Sequence, residues 1–249
     1  MYACYIVYNS ADVIATSLRS IIPYVEKVIM IDGAFKNYPH IEIYSTDNTK
    51  EIAQQICGDK LIWVDCPLSG WEDQVEKRNA YLKLVPDEEW FFVLDDDVVV
   101  FGDLNVTLEQ LPQISQRSVS VRMMNLYPAK MVRQFPDKTF AIRWIWDFLE
   151  AGNALSEKEY DNLKWVGGFG YVNCLYRKHR DMEYRFRHCS IYIGNTLIYN
   201  PNYLIVANGI ISLNAKFLTR YEEYLNDFNY KNIRMENERV TAKNKEKFP

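Results

Sequence analysis

Residues Phe91–Val100 read FFVLDDDVVV, which sets Asp95, Asp96 and Asp97 side by side in an otherwise apolar run. Burying one unpaired carboxylate is costly, and three neighbours repel one another. The apolar residues before them have the composition of a buried strand that delivers the triplet to a sheet edge. Side chains alternate along a strand, so Asp95 and Asp97 share a face if extended geometry continues, and Asp96 points away. Two carboxylates on one face suit a hard cation that keeps positions open for phosphate oxygens. The expectation is a divalent metal, Mn2+ or Mg2+, carrying a diphosphate. An acidic surface turn after a strand is the alternative.

Upstream, strand and helix patterns alternate. YACYIVY (2–8) is rich in β-formers. ADVIATSLRSII (11–22) repeats Val13, Ile14, Leu18, Ile21 and Ile22 at helical spacing, with Asn9 and Ser10 as capping candidates and Pro23 closing it. KVIMID (27–32) reads as a buried strand ending on Asp32, and KLIWVDC (60–66) as a third. Between them, STDNTKEIAQQI (45–56) reads as a helix that Ser45 or Thr46 can cap. WEDQVEKRNAYLKLV (71–85) is helical, with Trp71, Val75, Leu82 and Val85 on or near one face, and EWFFVLDDD (89–97) is the fourth strand. Such alternation means an α/β fold with a mostly parallel central sheet flanked by helices. Ligands in such sheets bind beyond the carboxyl ends of the strands, where Asn9, Asp32 and the aspartate triplet all fall.

After residue 104 the pattern changes. SVSVRMMNLYP (118–128) and KTFAIRWIW (138–146) look like strands. YVNCLYR (171–177), YRFRHCSIYI (184–193) and TLIYN (196–200) suggest short antiparallel strands with a tight turn at IGN (193–195). AKFLTRYEEYLNDF (215–228) carries an apolar helical stripe, and KNKEKFP (243–249) reads as a solvated tail, with membrane attraction the lesser reading. GGFG (167–170) lacks the strand-before, helix-after setting of a phosphate cradle and reads as a flexible turn, or as part of a lid over the donor.

Composition narrows the function classes. The 249 residues carry 29 Lys+Arg against 33 Asp+Glu, a net charge of −4, which argues against a general nucleic-acid binder. Cys4, Cys57, Cys66, Cys174 and Cys189 are scattered with no CxxC pair, as expected of idle thiols in a reducing cytoplasm. Nothing resembles a signal peptide, and no apolar run approaches the ~20 residues of a spanning helix. A cytoplasmic protein is expected, with peripheral membrane contact left open.

VLDDDVV also satisfies DxDx[TV], the motif of haloacid-dehalogenase-like phosphatases, in which the first aspartate is a nucleophile and the second a general acid. That motif normally follows the first strand, whereas three strand–helix units precede it here.

YIVYNSADVIATSLRSIIPYVEKVIMID (5–32), STDNTKEIA (45–53), EKRNAYL (76–82) and FVLDDDVV (92–99) together resemble the nucleotide-sugar domain of family 2 glycosyltransferases, which have the GT-A fold. The resemblance covers roughly the first hundred residues. It implies that Tyr8, Asn9 and Asp12 line the nucleotide, that Asp32 contacts the base and that Arg78 lies near base or phosphate. It implies that Asp95 and Asp97 hold ribose and metal, with Asp96 on the nucleotide sugar. One GT-A-like domain over 1–249 follows, with a nucleotide-sugar-binding half (1–104), a smaller antiparallel acceptor-side half (105–230) and a charged tail (231–249). The donor would be a nucleotide-diphosphate sugar, UDP- or GDP-linked, and the acceptor a sugar, lipid or protein. One departure is the insert GAFKNYPHIEIY (33–44) between Asp32 and Ser45, which is either a lid or specificity loop or a surface excursion. His40 within it is expected to face solvent.

LYRKHRDMEYRFRHCSIYI (175–193) resembles a later segment of such enzymes, which would make His188 a metal ligand; a packed strand histidine is the bland alternative. An inverting transfer needs a carboxylate base. Asp147, between Trp144, Trp146 and Glu150 in WIWDFLE, is the choice over Asp161. The tryptophans are either sugar platforms or core. Arg177, Arg185 and Arg187 are candidates to neutralise a diphosphate. The competing functions are the phosphatase and a nucleotide-sugar-binding protein without turnover.

Overall fold

The chain was analysed as a computed structural model that describes residues 1–36, 38, 40–101, 104–128, 165–186, 190–198 and 204–212. Strands β1 (Tyr2–Val7), β2 (Lys27–Asp32), β3 (Leu61–Val64) and β4 (Trp90–Asp95) alternate with helices α1 (Ile14–Ile21), α2 (Thr49–Cys57) and α3 (Gln74–Leu82). Then come β5 (Val98–Phe101), α4 (Asn105–Gln110), β6 (Ser118–Pro128), β7 (Trp165–Arg177), β8 (Met182–Tyr184), β9 (Ile191–Ile193), β10 (Thr196–Leu197) and β11 (Leu204–Ser212). Eight strands form one sheet in the order β3-β2-β1-β4-β7-β6-β11-β5, and β10-β9-β8 form a small second sheet. The pairs β2–β3, β1–β2, β1–β4 and β6–β11 are parallel, whereas β4–β7, β6–β7 and β5–β11 are antiparallel. The fold is mixed α/β with a mostly parallel central sheet, as the strand–helix alternation predicts.

Burial follows the two-residue period of the strands. Ala3, Tyr5, Val7, Val28, Met30, Phe92 and Leu94 pack on one face against Ile14, Leu18 and Ile21 of α1 and Ala53 and Cys57 of α2. Cys4, Ile29, Ile31 and Phe91 pack on the other against Tyr81 and Leu82 of α3 and Tyr184 of β8. A sheet covered on both faces needs near-continuous apolar strands, which explains the unbroken β2 run.

Several local expectations change. Neither Asn9 nor Ser10 caps α1 through its side chain, and neither Ser45 nor Thr46 caps α2. The side chains of Asn9, Ser10 and Ser45 are taken by tertiary hydrogen bonds near the strand ends. Among the described α-helices, only α3 starts on a side-chain cap, Asp73 accepting from Glu76 N at 2.8 Å. YVNCLYR is not a short strand but the end of the 13-residue β7, which also takes in GGFG. Gly167, Gly168 and Gly170 pair with Leu126, Asn125 and Met123 of β6, so this segment is sheet rather than a flexible turn. The IGN turn is present between β9 and β10, with Gly194 at φ +58°. The strand at 138–146, the helix at 215–228 and the tail lie outside the described residues.

Candidate functional site

The carboxyl ends of β1, β2 and β4 surround one cavity of about 230 Å3. Tyr8 follows β1, Gly33, Ala34, Phe35 and Tyr38 follow β2, and Asp95, Asp96 and Asp97 close β4. Gln74, Lys77 and Arg78 of α3 complete the polar wall. Strand geometry stops at Asp95; Asp96 and Asp97 form a turn into β5. The alternation argued for the triplet therefore does not carry past its first member. Asp95 is exposed, Asp97 half-buried and Asp96 buried.

Each carboxylate is held differently. Asp95 Oδ1 accepts from the Arg78 guanidinium at 2.7 Å. Asp96 accepts from the Ser10 hydroxyl, which reaches back from the loop before α1. The strand after the triplet is pinned to α1: Ser17 Oγ donates to the Val98 carbonyl at 2.5 Å, and Val100 N donates to Ser20 Oγ at 3.0 Å. The aspartate turn is thus fixed from both sides.

The cations come from the buried stripe of α3, which comprises Lys77, Arg78, Tyr81 and Leu82. Lys77 Nζ donates to the Val7 carbonyl at 2.7 Å and also to the Gly33 carbonyl, tying the ends of β1 and β2 together. Arg78 lies 6.0 Å from the Tyr184 ring centroid, and its Nε is buried without a hydrogen-bond partner among the described residues. Burial opposes its charge, but Tyr81, Asp95 and Tyr184 outweigh that and hold its pKa well above the ordinary value. Arg78 is a permanent cation at the cavity wall.

The insert does not displace the segment after it. Ala34 N donates to the Ile43 carbonyl at 2.8 Å, so the excursion is pinched off at its base. Gly33, at φ +107°, makes the turn, and a Cβ there would press on Cys66 and the Ile43 carbonyl. Ser45 then returns to Asp32, donating from Oγ at 2.6 Å and from N at 3.1 Å. Asn9, at φ +47°, donates from N to Ser45 Oγ at 2.9 Å and accepts from Thr46 N at 2.8 Å. His40 is exposed, as expected.

Of the residues proposed from sequence, Tyr8, Arg78, Asp95, Asp96 and Asp97 are brought together around the cavity. Asn9 and Asp32 stand behind it in the Ser45 network, and Asp12 is half-buried near the start of α1. Asp147 and His188 lie outside the described residues, as do Trp144, Trp146, Glu150, Asp161 and Arg187. Arg177 and Arg185 sit away from the cavity: Arg177 donates to the Ser115 carbonyl and Arg185 ion-pairs with Glu183. Sequence reasoning missed Lys77, Ser10, Ser45, Phe35 and Tyr38. The signal for Lys77 was available, since it lies four residues before the buried Tyr81 on the same helix face.

Asp95 and Asp97 both line this cavity, and carboxylate oxygens are the donor chemistry that suits Mg2+ or Mn2+. Among the described residues, no group of three His, Cys, Asp or Glu side chains is arranged to hold a metal alone. Burial pushes the Cys57 thiol up to about 11 and raises those of Cys4 and Cys174, in keeping with idle thiols.

Parts of several solved structures match this chain. Residues 1–349 of S. aureus TarS are 19% identical, with 49% of this chain and 34% of that chain covered and a TM-score of 0.37. A second S. aureus TarS structure is 17% identical, with coverages of 56% and 24% and a TM-score of 0.39. The galactosyltransferase LgtC in complex with donor and acceptor sugar analogues is 15% identical, with coverages of 67% and 57% and a TM-score of 0.31. The chain spans less than two thirds of each of these structures. No protein-family model and no curated protein matches the sequence. No helix among the described residues is long and apolar enough to cross a membrane.

The phosphatase reading gains no support from this geometry, because the DxD stretch ends β4, the fourth strand in chain order, and not the first.

Proposed function

We propose that the protein is a glycosyltransferase of the GT-A type, moving a hexose from a nucleotide-diphosphate sugar to a hydroxyl acceptor. The observation that carries this reading is the convergence of Asp95, Asp96 and Asp97 with Arg78 in one cavity at the carboxyl ends of parallel strands. That is where such sheets take ligands, and a diphosphate is an anion that suits a fixed guanidinium beside metal-binding carboxylates. The four motifs that resemble family 2 glycosyltransferases point the same way.

In this reading Asp95 and Asp97 hold Mn2+ or Mg2+, and His188 is the proposed further ligand. The cation neutralises charge on the diphosphate when bound. Arg78 adds a second fixed positive charge toward the leaving group, while Lys77 holds the β1 and β2 ends in register around it. Asp147 is the proposed base of an inverting transfer, taking the acceptor hydroxyl proton. The new bond joins acceptor oxygen to the anomeric carbon, and the bond to phosphate breaks, releasing the nucleoside diphosphate.

The test is thermal melting of the full chain with UDP, GDP, CDP and dTDP, each with and without Mn2+. A nucleotide at about a hundred times its Kd adds roughly 2.7 kcal/mol, a rise of about 5–11 °C for a chain this size. One nucleotide stabilising only with metal is expected, and Asp97→Asn should remove that response while keeping the unliganded melt. Stabilisation without turnover of any sugar donor would indicate a binding protein. No response to any nucleotide would overturn the reading.

A further inference from the structure

The cavity lining is of two unlike kinds. It includes the three aspartates with Lys77 and Arg78, and an aromatic cluster of Tyr8, Phe35 and Tyr38. Phe35 and Tyr38 both come from the insert. The rings of Tyr8 and Tyr38 lie 5.7 Å apart at 82°, and those of Phe35 and Tyr38 lie 5.3 Å apart at 58°. Two rings at right angles make a corner in which a planar ring can lie on one face with its edge met by the other.

The insert is built to hold this corner in place. Its base is closed by Ala34 and Ile43. Its near side is tied to the loop before α3, where Lys36 N donates to the Trp71 carbonyl at 3.0 Å and the Lys36 side chain ion-pairs with Glu72. Its far side holds Tyr8 itself, whose hydroxyl donates to the Glu42 carbonyl at 2.8 Å. A surface excursion with no part in binding would not need to fasten a residue of the β1 end. At about 230 Å3, the cavity is below the ~300–1,000 Å3 of drug-sized pockets, so it suits one end of a long ligand.

We propose that the insert 33–44 is the nucleobase platform of this site, with Tyr38 the added base-contacting residue beside Tyr8. The inference rests on the nucleotide-sugar reading above and extends it to a residue outside the four motifs. The base lies in the aromatic corner and the diphosphate reaches toward the aspartates and Arg78. Recognition by ring stacking tolerates several bases, so ranking among bases falls to hydrogen-bonding groups at the corner's rim.

The test is calorimetric titration of the full chain in Mn2+ with the four nucleoside diphosphates and with inorganic pyrophosphate, for wild type, Tyr38→Ala and Tyr38→Phe. Loss of one stacking partner predicts at least a ~5-fold weaker nucleoside diphosphate for Tyr38→Ala. Pyrophosphate binding should stay unchanged, and Tyr38→Phe should restore the wild-type affinity. Equal nucleoside diphosphate affinity in Tyr38→Ala overturns the platform while leaving the nucleotide reading intact. Equal losses for nucleoside diphosphate and pyrophosphate also overturn it, since the ring would then act on the diphosphate end. A wild-type protein that binds pyrophosphate but no nucleoside diphosphate overturns both.

Discussion

Lys77 is a charged side chain only 2% exposed, and two backbone carbonyls accept from its nitrogen. Its nitrogen meets the Gly33 carbonyl and the Val7 carbonyl, and the latter also accepts from Gly33 N at 3.0 Å. Replacing Lys77 by Met keeps the length of the side chain but strips the Gly33 carbonyl of this donor. An unmet buried carbonyl costs about 1–3 kcal/mol, so the Lys77→Met midpoint in urea should fall accordingly. A more stable variant would mean that burying the amine costs more than its contacts return. Arg78, the next residue, does different work with the same buried stripe. It faces Asp95 and two tyrosines, and its planar fork suits a phosphate as well as a carboxylate.

The junction between α3 and β8 is an element-scale device. The Tyr81 and Tyr184 hydroxyls are 2.5 Å apart, and their rings meet edge to face at 88°. Asn79 bridges the same pair of elements twice, donating to the Tyr184 carbonyl at 3.1 Å and accepting from Tyr184 N at 2.8 Å. Burial raises the Tyr81 pKa from 10.0 to about 12 and raises that of Tyr184 as well. A raised folded-state pKa means stability that is complete below the unfolded value and is lost as pH climbs through the folded one. The protein should therefore hold its melting temperature up to about pH 10 and lose it steeply between 10 and 12. Circular dichroism melts across that range check this, and Tyr81→Phe should soften the loss. An unchanged alkaline profile in Tyr81→Phe would place the sensitivity elsewhere. This junction also anchors the helix that carries Lys77 and Arg78, so the small second sheet supports the site from behind.

Across the whole molecule, burial is graded along the sheet. β1 and β2 lie inside it with most residues buried and β4 with half, whereas β3 at the edge is half-buried throughout; β10 of the second sheet is exposed. Amides that open only on global unfolding come from such central strands. Native-state hydrogen exchange should be slowest over Cys4–Val7, Ile29–Ile31 and Phe92–Leu94, and fast over β10. Comparable exchange in β3 and β1 would contradict a core centred on the parallel strands. The β4–β7 pairing joins the first four strands to the later ones, so the described strands of both halves share one sheet.

The order and type of the early elements were written in the sequence because strand and helix periods are local. β2 over Lys27–Asp32 and β6 over Ser118–Pro128 end where composition places them. The aspartate triplet, Asp32 and Asn9 were legible as strand-end residues for the same reason. Only the tertiary structure decided what those side chains do. Ser10 and Ser45 look like helix caps within their own segments, yet each spends its hydroxyl on a distant aspartate at or just past a strand end, Asp96 and Asp32. GGFG reads as a turn by itself and becomes strand once β6 supplies partners. The insert looks optional in one dimension; in three, its base closes and its rings line the cavity. Local pattern follows from backbone geometry within a few residues, whereas a polar side chain takes whichever partner folding brings within hydrogen-bond reach.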